Sequence, residues 1–328
     1  MRLLVLGGTG FVGRAIVDDA RTRGHQITVL NRGQRPPLPG VTALVGDRTA
    51  ADGLAALGTG TWDLVVDTWS AAPRPVRDAA RALKGRAGHY TYVSSRSVYA
   101  DGSPPPLTEN SPVVDGSPDT DNPSDYAAAK RGGEIAAEQF GPDVLHARAG
   151  LILGPHEDIG RLPWWLYRLA RGGPTLAPGP HDLPLQYIDA RDLAAFLLDA
   201  AANGLTGPYN LTSESGHTTM GDLLDTAVAV TGNHADLRWT DPETILAAGI
   251  QPWTELPIWL PREIPDYEFI HDCDVSKAIT AGLHVRPVRD TIADTWSWLQ
   301  TLPGTATIRP DRPSVGLDPA VEAKVLGL

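Results

Sequence analysis

The sequence predicts an α/β fold, a doubly wound parallel sheet joined to a smaller, mostly C-terminal domain. Three observations carry that expectation. Short β-branched runs alternate with alanine-rich helical stretches, a glycine-rich turn follows the first run, and the alternation changes character after residue 150. Strands that alternate with helices call for a parallel sheet covered on both faces.

The elements follow in order. "RLLVL" (2–6), "QITVL" (26–30), "VTALVG" (41–46), "DLVVDT" (63–68) and "HYTYVSS" (89–95) read as strands. "RAIVDDARTRG" (14–24), "AADGLAALG" (50–58) and "RPVRDAARALKG" (74–85) read as helices. Residues 101–124 are rich in Pro, Asp, Ser and Gly and read as a long loop, which in a compact domain is usually a lid or a binding loop. "DIGRLPWWLYRLARGG" (158–173) is an amphipathic helix with paired tryptophans. "PLQYIDARDLAAFLLDAAANG" (184–204) is a strand running into an apolar helix, and "GPYNLTS" (207–213) is a short strand that returns to the sheet. Residues 214–300 carry further helices, proline-rich turns and five of the nine tryptophans. The divisions expected are 1–155 with about 182–212 for the sheet domain, and about 156–181 with 213–302 for the smaller one. The tail 303–328 has weak periodicity and no functional reading.

Composition narrows the function classes. The chain has 328 residues, 28 of them basic and 39 acidic, for a formal net charge of −11. A chain that acidic repels phosphate backbones, so no nucleic-acid partner is expected. One cysteine, Cys273, excludes an intramolecular disulfide and a thiolate metal cluster, and no metal site is expected. No apolar run reaches membrane-spanning length, and no cleavage site follows the glycines of "MRLLVLGGTGFVG", so a cytoplasmic protein without a membrane partner is expected. Its partner would be a small-molecule substrate; monomer and homodimer both stay open.

"GGTGFVG" (7–13) directly follows the first strand and opens the first helix. Its glycines permit a tight turn, close approach of a pyrophosphate to the backbone, and close helix–strand packing. The helix start supplies N–H groups and partial positive charge for phosphates. Gly7, Gly8, Thr9, Gly10, Phe11, Val12 and Gly13 are therefore candidate dinucleotide-binding residues. The second strand ends in "LNRGQR" (30–35), with Asn31, Arg32 and Arg35 where an acid would grip the 2′-hydroxyl of NAD. An arginine there pairs with a 2′-phosphate, so NADP(H) is expected to be preferred over NAD(H). Asp47, in "GDR" (46–48), reads equally as a partner for the adenine amine or as an acid at a helix start.

"DYAAAKRGGE" (125–134) sets Tyr126 and Lys130 on one helix face, with alanines that leave room for a ligand. A tyrosine that exchanges protons near neutral pH needs an adjacent cation to favour its phenolate. "YVSSRSVYA" (92–100) ends a strand of the same sheet, where such sheets place their ligands, and puts the Ser95 hydroxyl within reach of a substrate oxygen. Taken singly, Ser95 also reads as a turn cap, and the Tyr126–Lys130 pair as a solvated helix face.

Together "GGTGFVG", "SSRSVY" and "YAAAKRGGE" resemble the extended branch of the short-chain dehydrogenase/reductase superfamily, the epimerase/dehydratase-like group. The likeness runs from residue 1 to about 210, and "DVSKAITAGL" (274–283) resembles a late helix of many members. The resemblance implies a Rossmann domain, a substrate-binding second domain, and a catalytic triad of Ser95, Tyr126 and Lys130. Tyr126 would exchange a proton with a substrate hydroxyl or carbonyl, Ser95 would hold that oxygen, and Lys130 would support the phenolate and bond the nicotinamide ribose. It leaves open whether the outcome is epimerisation, dehydration or net ketone reduction. A cofactor-binding sensor without turnover is the rival from another class. Nucleotide-sugar enzymes of this branch read R-x-F-N near the end of the sixth strand, whereas this chain has "RAGLILGP" (148–155), with Leu151 at the asparagine's place. Arg161, Arg168 and Arg171 are the remaining basic candidates for an anionic substrate, with a solvated helix face as the plainer reading. The substrate is expected against the loop 101–124, Trp164, Trp165 and the segment near Tyr187, and Trp253 and Trp259 would suit an apolar or ring-shaped one.

Overall fold

A computed structural model describes residues 1–121, 125–310 and 313–328. The chain divides into two compact units. Unit 1 comprises residues 1–150, 190–212 and 274–284; unit 2 comprises 151–189, 213–273 and 285–328. The chain thus changes unit at 150, 189, 212, 273 and 284, where the sequence had suggested breaks near 155, 182 and 212.

Unit 1 is built on seven parallel strands. In chain order they are β1 (Arg2–Leu6), β2 (Gln26–Asn31), β3 (Thr42–Val45), β4 (Trp62–Asp67), β5 (Ala87–Ser95), β6 (Val144–Ala149) and β7 (Gly207–Leu211). Their spatial order is β7-β6-β5-β4-β1-β2-β3. The order reverses between β1 and β4, and sheets of this kind bind their ligands beyond the strand ends at such a switch point. The helices are α1 (Phe11–Thr22), α2 (Arg74–Leu83), α3 (Tyr126–Ala137), α4 (Ala190–Ala202) and α5 (Ser276–Thr280). β1 and β4 are apolar almost throughout because both of their faces are covered. Leu4, Leu6, Val65, Val76, Tyr90 and Tyr92 belong to the core on one side of the sheet.

The expected helix over 50–58 does not form. The segment is a series of turns with one 3₁₀ turn at Ala55–Leu57. The glycine inside it explains why: a Cβ on Gly53 would lie 1.8 Å from the Asp47 carbonyl oxygen. The loop 101–121 is irregular, as expected, but its middle is pinned. Leu107 is buried, and its carbonyl accepts from Asp274 N–H at 2.9 Å and from Asn210 Nδ2 at 3.3 Å. Residues 122–124 of the expected loop lie outside the described residues.

Unit 2 packs the helices Arg161–Arg171, Met220–Thr231 and Val288–Gln300 with a short parallel pair, Gly173–Pro178 beside Ala235–Thr240. Trp165, Trp259 and Tyr187 sit in its apolar core. The indole N–H of Trp165 donates to Pro257 O at 2.7 Å, and that of Trp259 to Gly179 O at 2.9 Å. Trp165 and Trp259 are therefore structural anchors, and the substrate wall expected of Trp165 is corrected. Arg168 is neither solvated nor available to a substrate: it is buried and its Nε donates to both oxygens of Glu322, at 3.0 and 2.8 Å. Gln186 is wholly buried and ties the unit together at its chain crossings. Its amide nitrogen donates to Ser213 O and Cys273 O, and its amide oxygen accepts from Cys273 N–H, all at 2.9 Å.

Candidate active site

The glycine turn leaves β1 at the switch point. Gly7 N–H donates to Leu30 O at 3.0 Å, which carries the pairing with β2 one residue beyond the end of β1. Gly13 sits in the first turn of α1, and a Cβ there would meet Gly8 N at 2.5 Å. Only glycine lets helix and turn approach so closely. The N-cap of α1 is Gly10, which makes no side-chain cap hydrogen bond, and the first turn carries no acid. The N–H groups of Phe11, Val12 and Gly13 therefore need an outside acceptor, and a bound phosphate supplies one. The residues fit a dinucleotide: the Cβ direction of Gly10 is open except for Arg35 Nη1 at 3.7 Å.

The residues expected to choose the cofactor take three different places. Asn31 ends β2, and its Oδ1 accepts from Gly33 N–H at 2.8 Å, so it shapes the turn. Arg35 reaches back over the glycine turn, with Nη1 donating to Thr9 O at 2.7 Å. Asp47 Oδ1 accepts from the Thr49 N–H at 3.0 Å and from its hydroxyl at 2.7 Å. The Thr49 backbone and hydroxyl bonds, with a smaller contribution from the Arg32 charge, hold the Asp47 carboxyl below its ordinary range. Gly46 N–H donates to Asn31 O at 2.9 Å, so the turns that carry Arg32 and Asp47 leave neighbouring strand ends.

Tyr126 is the first residue of α3 and 40% exposed. Asp125 caps the helix, its Oδ1 accepting from Ala127 N–H at 2.9 Å. Lys130, one turn on, is buried. Its ammonium donates to Val93 O at 2.7 Å and Trp69 O at 3.0 Å, and lies 4.8 Å from the centre of the Tyr92 ring. It spans the ends of β4 and β5, two residues before Ser95 on the same strand. The Ser95 hydroxyl also caps the turn after β5, accepting from Ser97 N–H at 3.2 Å.

Two buried clusters under this surface were missed by the sequence reading. In one, Glu134 accepts from Arg148 Nε at 2.9 Å, from Arg148 Nη2 and Arg131 Nη1 at 3.0 Å, and from the Ser94 hydroxyl at 2.8 Å. The Arg148 guanidinium lies 4.9 Å over the Tyr99 ring, whose hydroxyl donates to Asn210 Oδ1 at 2.6 Å. In the other, Arg48 Nη1 and Nη2 each donate to an Asp67 oxygen at 2.7 Å, and Tyr90 OH donates to Asp67 Oδ2 at 2.6 Å. A charged residue inside an apolar strand, such as Arg148 in "VLHARA" or Asp67 closing "WDLVVD", was the available signal. Among the described residues no group of three His, Cys, Asp or Glu could hold a metal, and no helix is long and apolar enough to cross a membrane.

A parallel sheet with a glycine turn at its switch point and a Tyr-x-x-x-Lys helix beside it defines the Rossmann-type short-chain dehydrogenase/reductase class. The sequence signature of the NAD dependent epimerase/dehydratase family matches residues 3–71 and 63–211, more than half of the chain, so the chain belongs to that family of enzymes. Among curated proteins it is similar to the chloroplast stem-loop binding protein of 41 kDa b of Arabidopsis thaliana, 26% identical over 218 residues. That match covers 62% of this chain and 55% of the relative, so the chain spans little more than half of the relative's length. Solved structures share the fold. Bordetella bronchiseptica WbmG in complex with NAD and UDP aligns with a TM-score of 0.68 at 20% identity, over 92% of this chain and 94% of that one. The UDP-N-acetylglucosamine 4-epimerase of Bacillus cereus aligns with a TM-score of 0.68 at 15% identity, over 94% and 100%.

Proposed function

We propose that the protein transfers hydride at a secondary alcohol or ketone carbon of a small molecule, with Ser95, Tyr126 and Lys130 as its catalytic triad. The observation that carries this reading is the setting of the pair on α3. Tyr126 is open at the head of the helix, while Lys130 beneath it is fixed to the ends of β4 and β5 beside Ser95. Tyr126 donates its proton to the substrate oxygen as the carbon is reduced and takes one back in the reverse direction; Ser95 holds that oxygen. Lys130 places its charge by the phenol and the nicotinamide ribose. The bound cofactor supplies or receives the hydride.

The 2′-phosphate of NADP(H) suits Arg32, which follows β2 where no acid stands, so NADP(H) is the preferred cofactor in this reading. The epimerase neighbour favours a cofactor recycled in place; net ketone reduction is the alternative. Leu151 is buried in the apolar core of unit 2, which supports a substrate other than a nucleotide sugar. The net charge of −11 supports a small-molecule substrate over the stem-loop named for the Arabidopsis relative.

The test begins with calorimetric titration of NADPH and NADH. NADPH should bind more tightly, and Arg32→Ala should remove the difference; equal dissociation constants in the wild type would overturn the preference. On a panel of ketones and nucleotide sugars, Tyr126→Phe should fold, bind cofactor and lose about 10²–10⁴-fold in turnover. Wild-type turnover in Tyr126→Phe would remove it from the role of acid.

A further inference from the structure

The geometry points to Arg48 as a positioning residue that, through Asp67 and Trp69, sets the catalytic lysine from the adenine side of the cofactor site. This rests on the reading of the cofactor site above and adds a residue that reading does not use. One of the two carbonyls that hold Lys130 belongs to Trp69, in the loop just after β4. That loop, "DTWSAAP", is held to the strand end at Thr68, whose N–H donates to Leu6 O at 3.1 Å, and packs Trp69 against the core. Trp69 is fixed on three sides. Its N–H donates to Asp67 Oδ1 at 2.9 Å, its indole N–H donates to Ala72 O at 2.8 Å, and the Arg48 guanidinium lies 5.2 Å over its ring. Arg48 also donates to Pro75 O at 2.7 Å, so one guanidinium braces both ends of the segment 67–75.

Stability is a poor reason for this device. A buried ion pair is often no better for stability than an apolar pair of similar volume. What the pair adds is direction, because the planar fork on Asp67 and the stack on Trp69 fix the two relative to each other. Arg48 directly follows Asp47 in the turn after β3, where Gly46 N–H donates to Asn31 O at 2.9 Å, next to Arg32. The path runs from Asp47 to Arg48, then to Asp67 and Trp69, then to Lys130, entirely within unit 1. Order imposed at the adenine end is carried to the ammonium that serves the ribose at the other end.

A double-mutant cycle on the full chain tests this, with calorimetric affinities for AMP and NADH in the wild type, Arg48→Met, Lys130→Ala and the double variant. Arg48→Met should weaken NADH by about 10-fold or more, because a hydrogen bond to a charged group is misplaced. AMP, which has no nicotinamide ribose, should change by less than about 3-fold, and Arg48→Met should cost NADH little further once Lys130 is alanine. Equal losses for AMP and NADH would make Arg48 a wall of the adenine pocket, and additive losses in the cycle would do the same; either overturns the proposal. If Arg48→Met does not fold, the pair Arg48→Met with Asp67→Leu strands no charge and runs the same cycle. A wild type that binds NADPH but not NADH runs the same cycle with NADPH and with AMP that carries a 2′-phosphate; one that binds neither NADPH nor NADH removes the cofactor reading itself and this proposal with it.

Discussion

Glu134 in unit 1 and Glu157 in unit 2 are equally hidden from solvent, yet they hold their protons in opposite ways. Burial pushes both carboxyls up. At Glu134 the Arg148 fork and charge, with the Ser94 hydroxyl, overcome that and hold the carboxyl below its ordinary value. Glu157 accepts only backbone donors among its described hydrogen bonds, Arg161 N–H at 2.7 Å and Leu162 N–H at 3.2 Å. Two peptide dipoles at a helix start do not offset the loss of water, and burial raises it from 4.5 to about 7 despite the opposing charge of Arg161. The comparison separates two uses of a buried acid: a charged brace between α3 and the strands β5 and β6, and a helix cap that is neutral over much of the acidic range.

The comparison breaks most sharply at Arg148. Arg148→Met leaves the Glu134 charge in the core with a lesser partner, and should cost about 3–5 kcal/mol in urea unfolding near pH 7.5. Arg148→Met with Glu134→Leu should regain most of it. A loss in the single variant under about 1 kcal/mol would show that the brace is not needed.

The next effect concerns Glu157. Its folded-state carboxyl lies above the unfolded one, so the protonated form favours folding. That stability is complete below pH 4.5 and is lost as the pH rises to about 7, a change on the order of 3 kcal/mol. Glu157→Gln keeps an acceptor for the two N–H groups and should flatten that limb of the stability profile. An unchanged slope in Glu157→Gln would assign the limb to another group.

The smallest effect is at Ser94. Ser94→Ala removes one of four donors to Glu134 and should cost about 1 kcal/mol. Glu134 contributes stability above its unfolded value that is lost as the pH falls through its lowered folded one. With a donor gone, the loss on acidification should begin at a higher pH. Acid unfolding followed by circular dichroism, with a midpoint unmoved by Ser94→Ala, would separate the hydroxyl from the brace.

Much of unit 1 was legible because strand runs and the glycine turn are local patterns. "RLLVL" and "GGTGFVG" need no distant partner to be read. Tyr126 and Lys130 were legible because helical spacing alone puts them on one face. What escaped depends on pairs far apart in sequence. Arg168 looked like the polar side of an amphipathic helix until Glu322 covered it, and nothing in the sequence around Arg48 pointed to its pairing with Asp67, 19 residues on. The helix expected over 50–58 failed for a local reason: its composition suits a helix, but Gly53 lies against the Asp47 backbone six residues earlier.

The repeated crossing of the chain between the units has an evolutionary consequence. Gln186 binds both Ser213 and Cys273, and the three lie next to three of those crossings, so unit 2 is closed by residues from separate stretches of the gene. A single recombination breakpoint cannot exchange such a unit for another, because it would deliver only some of the stretches. Diversification of unit 2 must then proceed by point substitution and loop insertion in place, while the Gln186 knot is kept.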